Sequence, residues 1–174
     1  MLEYQDMVRL WGEDGLLYLP PDRVERMTFD LSALPPEAAI PAQVPLLFTA
    51  YVEGDFELFN VLEIQVGENE ALGLLVLGAV PDEKMYYCLD GDSGAVMLLD
   101  LGDTTGLEVV NSTLGAFVEF LYHLERLIRA DQGKATRALP AARLREELSA
   151  LDPAAFTDTE SWWNVAFAQL EGRT

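Results

Sequence analysis

A run of ten apolar residues, 71–80, constrains this chain more than any other stretch. It is about half as long as a helix needs to be to cross a bilayer. Residues 71–79 therefore read as a strand at the centre of a sheet, buried on both faces. A strand of that kind demands neighbours on each side, and the flanking sequence supplies them. Downstream, Pro81-Asp82-Glu83 turns the chain into residues 84–89, which pair through Asp90-Gly91-Asp92-Ser93-Gly94 with residues 95–101 in the clearest hairpin of the sequence. Upstream, a period of two begins at Val52. It sets Glu53, Asp55 and Glu57 on one face and Val52, Phe56 and Leu58 on the other, as in a strand with one wet face. The pattern continues raggedly from Phe59 to Val66 and ends in the polar turn Gly67-Glu68-Asn69-Glu70.

Helical periods bracket this block. Residues 3–11 read as a short amphipathic helix with Met7, Leu10 and Trp11 on one side, ended by Gly12, and residues 16–19 as a short strand. Pro35, Pro36, Pro41 and Pro45 exclude a long helix over 33–45, leaving loop with at most one helical turn at 36–39. Pro45 is expected to open a short helix through Ala50. After the hairpin, Asn111-Ser112 offers an N-cap to a helix over 113–129 with Leu114, Phe117, Val118, Leu121, Leu124 and Ile128 as its apolar stripe. Arg126 and Arg129 suit its last turn, and Gly133 is its stop. Pro140 fits the first turn of a helix to about Leu151, halted by Asp152-Pro153. Thr157 and Glu160 form a capping box for a last helix carrying Trp162, Trp163, Phe167 and Leu170. The expectation is one α+β domain spanning 1–174, with a largely antiparallel central sheet packed against helices. Strand 71–79 is expected near the middle, with hairpin 84–101 beside it and helix 113–129 on its face.

Charge narrows the function. Between Met27 and Glu125 there are 17 acidic residues and one base, Lys84, and the whole chain carries −19. Such a surface repels nucleic acid and anionic lipid and speeds encounter with basic proteins; the same charge also serves solubility. Candidate contact residues are Glu53, Asp55 and Glu57, Glu68 and Glu70, Asp82 and Glu83, and Asp90 and Asp92 at the hairpin tip. The N-terminus lacks the basic-then-apolar pattern of a signal peptide, so the cytoplasm is the expected compartment.

Side chains for chemistry are sparse. His123 is the single histidine, set beside an apolar stripe, and Cys88 is the single cysteine, inside a hairpin strand. Neither has a sequence partner for nucleophilic catalysis or zinc. The Asp90 loop resembles a calcium loop, yet its twelfth position is Leu101 where a bidentate Glu is required; turn chemistry explains it better. No enzymatic activity, cofactor or metal is expected.

The segments Cys88-Leu89-Asp90-Gly91-Asp92-Ser93-Gly94-Ala95-Val96 and Val110-Asn111-Ser112-Thr113-Leu114-Gly115-Ala116-Phe117 resemble the fourth family of the SUKH superfamily, as does the stretch from Asp152-Pro153 through Trp162-Trp163 to Gly172. The resemblance covers residues 71–129 and 152–172. The N-terminal third departs from it, with Tyr51-Val52-Glu53-Gly54-Asp55 where a Gly-Leu-Pro-like turn is expected. The resemblance implies an α+β fold and a bacterial immunity protein that binds and neutralises a cognate polymorphic toxin without catalysis. A toxin that attacks nucleic acid carries a basic groove for phosphates, which an anionic inhibitor suits. The alternative is an acidic secretion or folding chaperone for an effector.

Overall fold

The structure, a computed structural model, describes residues 1–54, 56–102 and 106–172. Its strands are β1 (Leu16–Tyr18), β2 (Ala39–Pro41), β3 (Gln43–Val44), β4 (Phe48–Thr49), β5 (Val61–Gln65), β6 (Ala71–Ala79), β7 (Met85–Asp90), β8 (Val96–Asp100) and β9 (Gly106–Asn111). Its α-helices are α1 (Tyr4–Trp11), α2 (Pro21–Val24), α3 (Leu114–Ala130), α4 (Lys134–Leu151) and α5 (Trp162–Leu170). β1 and β2 form a small antiparallel pair, and the main sheet runs β3-β4-β6-β7-β8-β9, with β5 also paired to β6. Every pairing among the described residues is antiparallel. The mixed α+β architecture expected from the sequence is the one observed.

β6 is buried on both faces, as its composition requires. Leu75 and Leu77 join the main core with Met7 of α1, Phe117 and Leu121 of α3, Leu148 of α4 and Trp163 of α5. Leu74 and Val76 point the other way, into a smaller cluster with Cys88 and Leu99. A register shift between Val76 and Gly78 then carries Ala79 onto that second face. Each such leucine contributes about 1.5–3 kcal/mol by leaving water, so β6 ties two hydrophobic layers to one strand. β7 and β8 form the expected hairpin beside it, and α3 packs on the first face.

The expected strand from Val52 is not formed: residues 51–54 and 56–60 are irregular, and Asp55 lies outside the described residues. The cause is the crowded edge of β6. β4 meets it at Thr49 opposite Ala79, and β5 takes over at Val61 opposite Leu75. The connection between those two points spans only four residues of β6, and it regains the strand just before β5, where the Phe59 N–H donates to the Val76 carbonyl at 2.8 Å and the Val76 N–H to the Asn60 carbonyl at 2.9 Å. The alternation sorts the side chains in part. Val52 and Phe56 pack on the second face, Phe56 edge-on to Tyr86 at 4.7 Å, and Glu53 and Glu57 are exposed, but Leu58, expected on the face of Val52 and Phe56, packs against the main core.

Four other local expectations give way to tertiary context. Pro45 opens a turn into β4, not a helix; the proline-rich 33–45 stretch does keep to one helical turn, at Pro36–Ala38, and adds β2 and β3. The cap of α3 is Thr113, whose Oγ1 accepts from the Ala116 N–H at 3.0 Å; Asn111 ends β9, a strand whose largely exposed face hides it from pattern reading. α4 begins at Lys134, so Pro140 lies inside it, on an exposed face. α5 is preceded by Ser161, while the Thr157 hydroxyl turns back to the Pro153 carbonyl at 3.3 Å. No helix among the described residues is long and apolar enough to cross a membrane.

Candidate interaction surface

Two short segments of like sequence, Val44-Pro45-Leu46-Leu47 and Val80-Pro81-Asp82-Glu83, make turns at the same end of the sheet. In each, the fourth residue's N–H donates to the first residue's carbonyl: Leu47 to Val44 and Glu83 to Val80, both at 3.2 Å. In each, proline holds the second position and the third residue is left-handed, with φ 71° at Leu46 and 64° at Asp82. Proline cannot take a positive φ, so these are type II turns, whose third position favours glycine. Here it holds a leucine and an aspartate. Both valines are buried beneath the turns.

Between the turns lies a groove of about 820 Å³. Its floor is fixed from below. Gly78 lets β4 approach, since a Cβ there would meet the Thr49 carbonyl and the Phe48 ring at 2.6 Å. The Tyr87 hydroxyl, its pKa raised by burial, donates to the Leu47 carbonyl at 2.9 Å, and its ring packs on Phe48 and Phe117. Tyr86 donates to the Glu53 carbonyl at 3.4 Å and steadies the 51–54 segment. Above that floor, Leu46 is 81% exposed and Tyr51 68% exposed. Glu53, Asp82 and Glu83 form an anionic rim, with Lys84 the basic side chain among the lining residues.

The candidate acidic residues are thus divided. Glu53, Asp82 and Glu83 share this groove. Glu68 and Glu70 lie in the β5–β6 turn at the opposite end of β6, about 26 Å away at ~3.3 Å per strand residue; Asp90, the last residue of β7, pairs with Leu74, and Asp92 follows in the β7–β8 turn, both towards that same end. Asp90 is buried, and its carboxylate accepts from the Asp92 N–H at 3.0 Å and the Ser93 hydroxyl at 2.8 Å, so it organises its own turn. Asp92 accepts from the Thr28 hydroxyl at 2.9 Å. Glu57 starts a separate turn, its carbonyl accepting from Asn60. The sequence signal for the groove was the repeated Val-Pro-X-X, visible only once Pro45 is read as a turn residue.

The residues that carry the family resemblance meet elsewhere. The Asp152 carboxylate accepts from the Asn111 amide at 3.0 Å, the Ser112 N–H at 2.8 Å and the Ser112 hydroxyl at 2.7 Å. Asn111 in turn accepts from the Trp163 indole at 2.8 Å. Asn111, Asp152 and Trp163 are all buried. This network bolts the end of α4 and the start of α5 to the β9–α3 junction, and it presents nothing to a ligand. Trp162 packs edge-on against Tyr87, so the tryptophan pair serves two layers of the same core.

His123 and Cys88 sit apart from the groove. Burial holds the His123 imidazole below its ordinary pKa, with Arg126 adding to the effect and Glu119 and Glu147 opposing it. Burial pushes the Cys88 thiol up to about 12, far from a reactive thiolate. Among the described residues no three His, Cys, Asp or Glu side chains converge as a metal site would need.

A family model described as SUKH-4 immunity protein matches residues 2–169. The match includes the N-terminal third and so extends well beyond the segments in which the resemblance was read. The comparisons with curated proteins and with solved structures give no match.

Proposed function

The chain belongs to the SUKH-4 immunity protein family, and on that premise we propose that it binds a cognate polymorphic toxin in the bacterial cytoplasm and neutralises it by non-covalent contact. Family membership carries this reading. The charge supports the finer part of it: with 17 acids and one base between residues 27 and 125, the body attracts a basic protein and repels nucleic acid. A toxin domain that grips nucleic acid has the matching basic surface. Of the acidic residues singled out in the sequence, Glu53, Asp82 and Glu83 are the set the fold gathers around one groove, and they are the contacts favoured here. The action is occupation of the partner, not turnover.

Co-expression with a toxin domain encoded by a neighbouring gene tests the proposal. The two are expected to co-purify as a stoichiometric complex in which the toxin domain is folded, and cells are expected to survive an otherwise lethal dose. Survival without a complex would contradict the mechanism. Capture of only an extended, unfolded toxin segment would point to the chaperone role instead.

A further inference from the structure

The twin turns hold a leucine and an aspartate where backbone geometry favours glycine. Leu46 is the sharper case, because its side chain is 81% exposed and so contributes almost no burial to the fold. A left-handed conformation at a leucine is unfavourable, and a residue that is both strained and exposed is not explained by stability. Asp82 repeats the pattern at the partner turn with a charge in place of an apolar side chain. The turns are held in place before any partner arrives: Tyr87 pins the Leu47 carbonyl, Gly78 seats β4 on β6, and Tyr86 pins Glu53. Little ordering is left to oppose binding.

We propose that this groove is the docking face for the toxin, with Leu46 the apolar anchor and Glu53, Asp82 and Glu83 receiving lysine or arginine side chains that flank an apolar residue of the partner. The inference rests on the immunity reading above and names the face that reading leaves open. Charge complementarity selects the occupant. A second copy of this chain would bring the same three carboxylates against themselves and the same net charge of −19, whereas a basic surface is drawn in. Tyr51, 68% exposed beside Leu46, supplies the second apolar contact.

The test measures binding of the full-length chain to a catalytically inactivated toxin domain encoded by a neighbouring gene, together with the melting temperature of each variant. Leu46→Gly is expected to dissociate at least tenfold faster while melting at or above the temperature of the native chain, because it removes an anchor and relieves a turn at once. The triple change Glu53→Lys, Asp82→Lys, Glu83→Lys is expected to slow association at least tenfold at low salt. Glu68→Lys with Glu70→Lys, at the other end of β6, is expected to change the rate far less. Native-like kinetics in both groove variants would overturn the groove while leaving the immunity reading intact. A dimer of the native chain that Leu46→Gly dissolves would assign the face to a second copy and overturn the proposal. Absence of any complex with the native chain would overturn the immunity reading and this inference with it.

Discussion

The joint around Asp152 and the groove between the proline turns use polar and apolar side chains to opposite ends. At the joint the polar groups are turned inward on one another: three donors converge on one buried carboxylate, and Asn111 links it to Trp163. Backbone preference and side-chain demand agree there. At the groove they disagree, since Leu46 and Asp82 occupy positions that favour glycine and face water. Places where local rules are broken without benefit to the fold are where function is expected. The contrast separates the Asp152 joint, which serves the fold, from the groove proposed here as the docking face.

The largest effect that could break this contrast is at the joint. Asp152→Ala leaves the buried Asn111 amide without its acceptor, at about 1–3 kcal/mol for the unsatisfied group, and removes two charge-assisted bonds from Ser112, an exposed residue whose donors can turn to water. A loss of about 2–4 kcal/mol in urea unfolding is expected; a loss below about 1 kcal/mol would mean that water reaches the Asn111 amide as well. Next is Gly78→Ala, which forces a methyl against the Thr49 carbonyl and the Phe48 ring. It is expected to lose about 1–3 kcal/mol by overpacking, and chemical shifts of β4 and the 44–47 turn should move with it.

Smaller changes sharpen the groove side. Leu46→Gly is expected to leave stability unchanged or raise it by up to about 1 kcal/mol, as relief of the left-handed leucine is partly offset by the greater freedom of the unfolded glycine. Asp82→Gly is expected to gain less, since aspartate tolerates that conformation better. A clear loss at either position would give these side chains a structural role and blur the comparison.

The smallest effect lies outside both regions. The unfolded His123 imidazole takes its proton near pH 6.5, and the folded one only at lower pH because burial disfavours the cation. Between those values the unfolded state binds more protons, so stability falls as pH falls below about 6.5. Unfolding free energies over that range should decline less steeply in His123→Gln than in the native chain; equal slopes would contradict the assignment.

Much of this fold was legible in the sequence because the strongest signals are long and two-sided. The apolar run of β6 and the stripe of α3 each leave one way to bury their residues, and the β7–β8 hairpin announces itself through its turn. What was not legible depends on where other strands already sit. Residues 52–58 alternate as a strand would, yet β4 and β5 occupy the edge of β6 on which they would pair. Asn111 and Thr113 are both plausible caps, and only the distant Asp152 decides that Asn111 belongs to the joint. The candidate acids were picked as clusters along the chain, but antiparallel pairing sends Glu68, Glu70, Asp90 and Asp92 to one end of the sheet and Glu53, Asp82 and Glu83 to the other. The groove itself joins turns whose valines, 44 and 80, are far apart in sequence.

Amide hydrogen exchange of the chain, free and bound to the inactivated toxin domain, tests the division of labour most directly. Added protection is expected over the amides of 46–54 and 82–86, with the 110–113 and 152–164 segments exchanging as in the free chain. Protection concentrated instead on α3 and α4, with the turns exchanging as in the free chain, would contradict it.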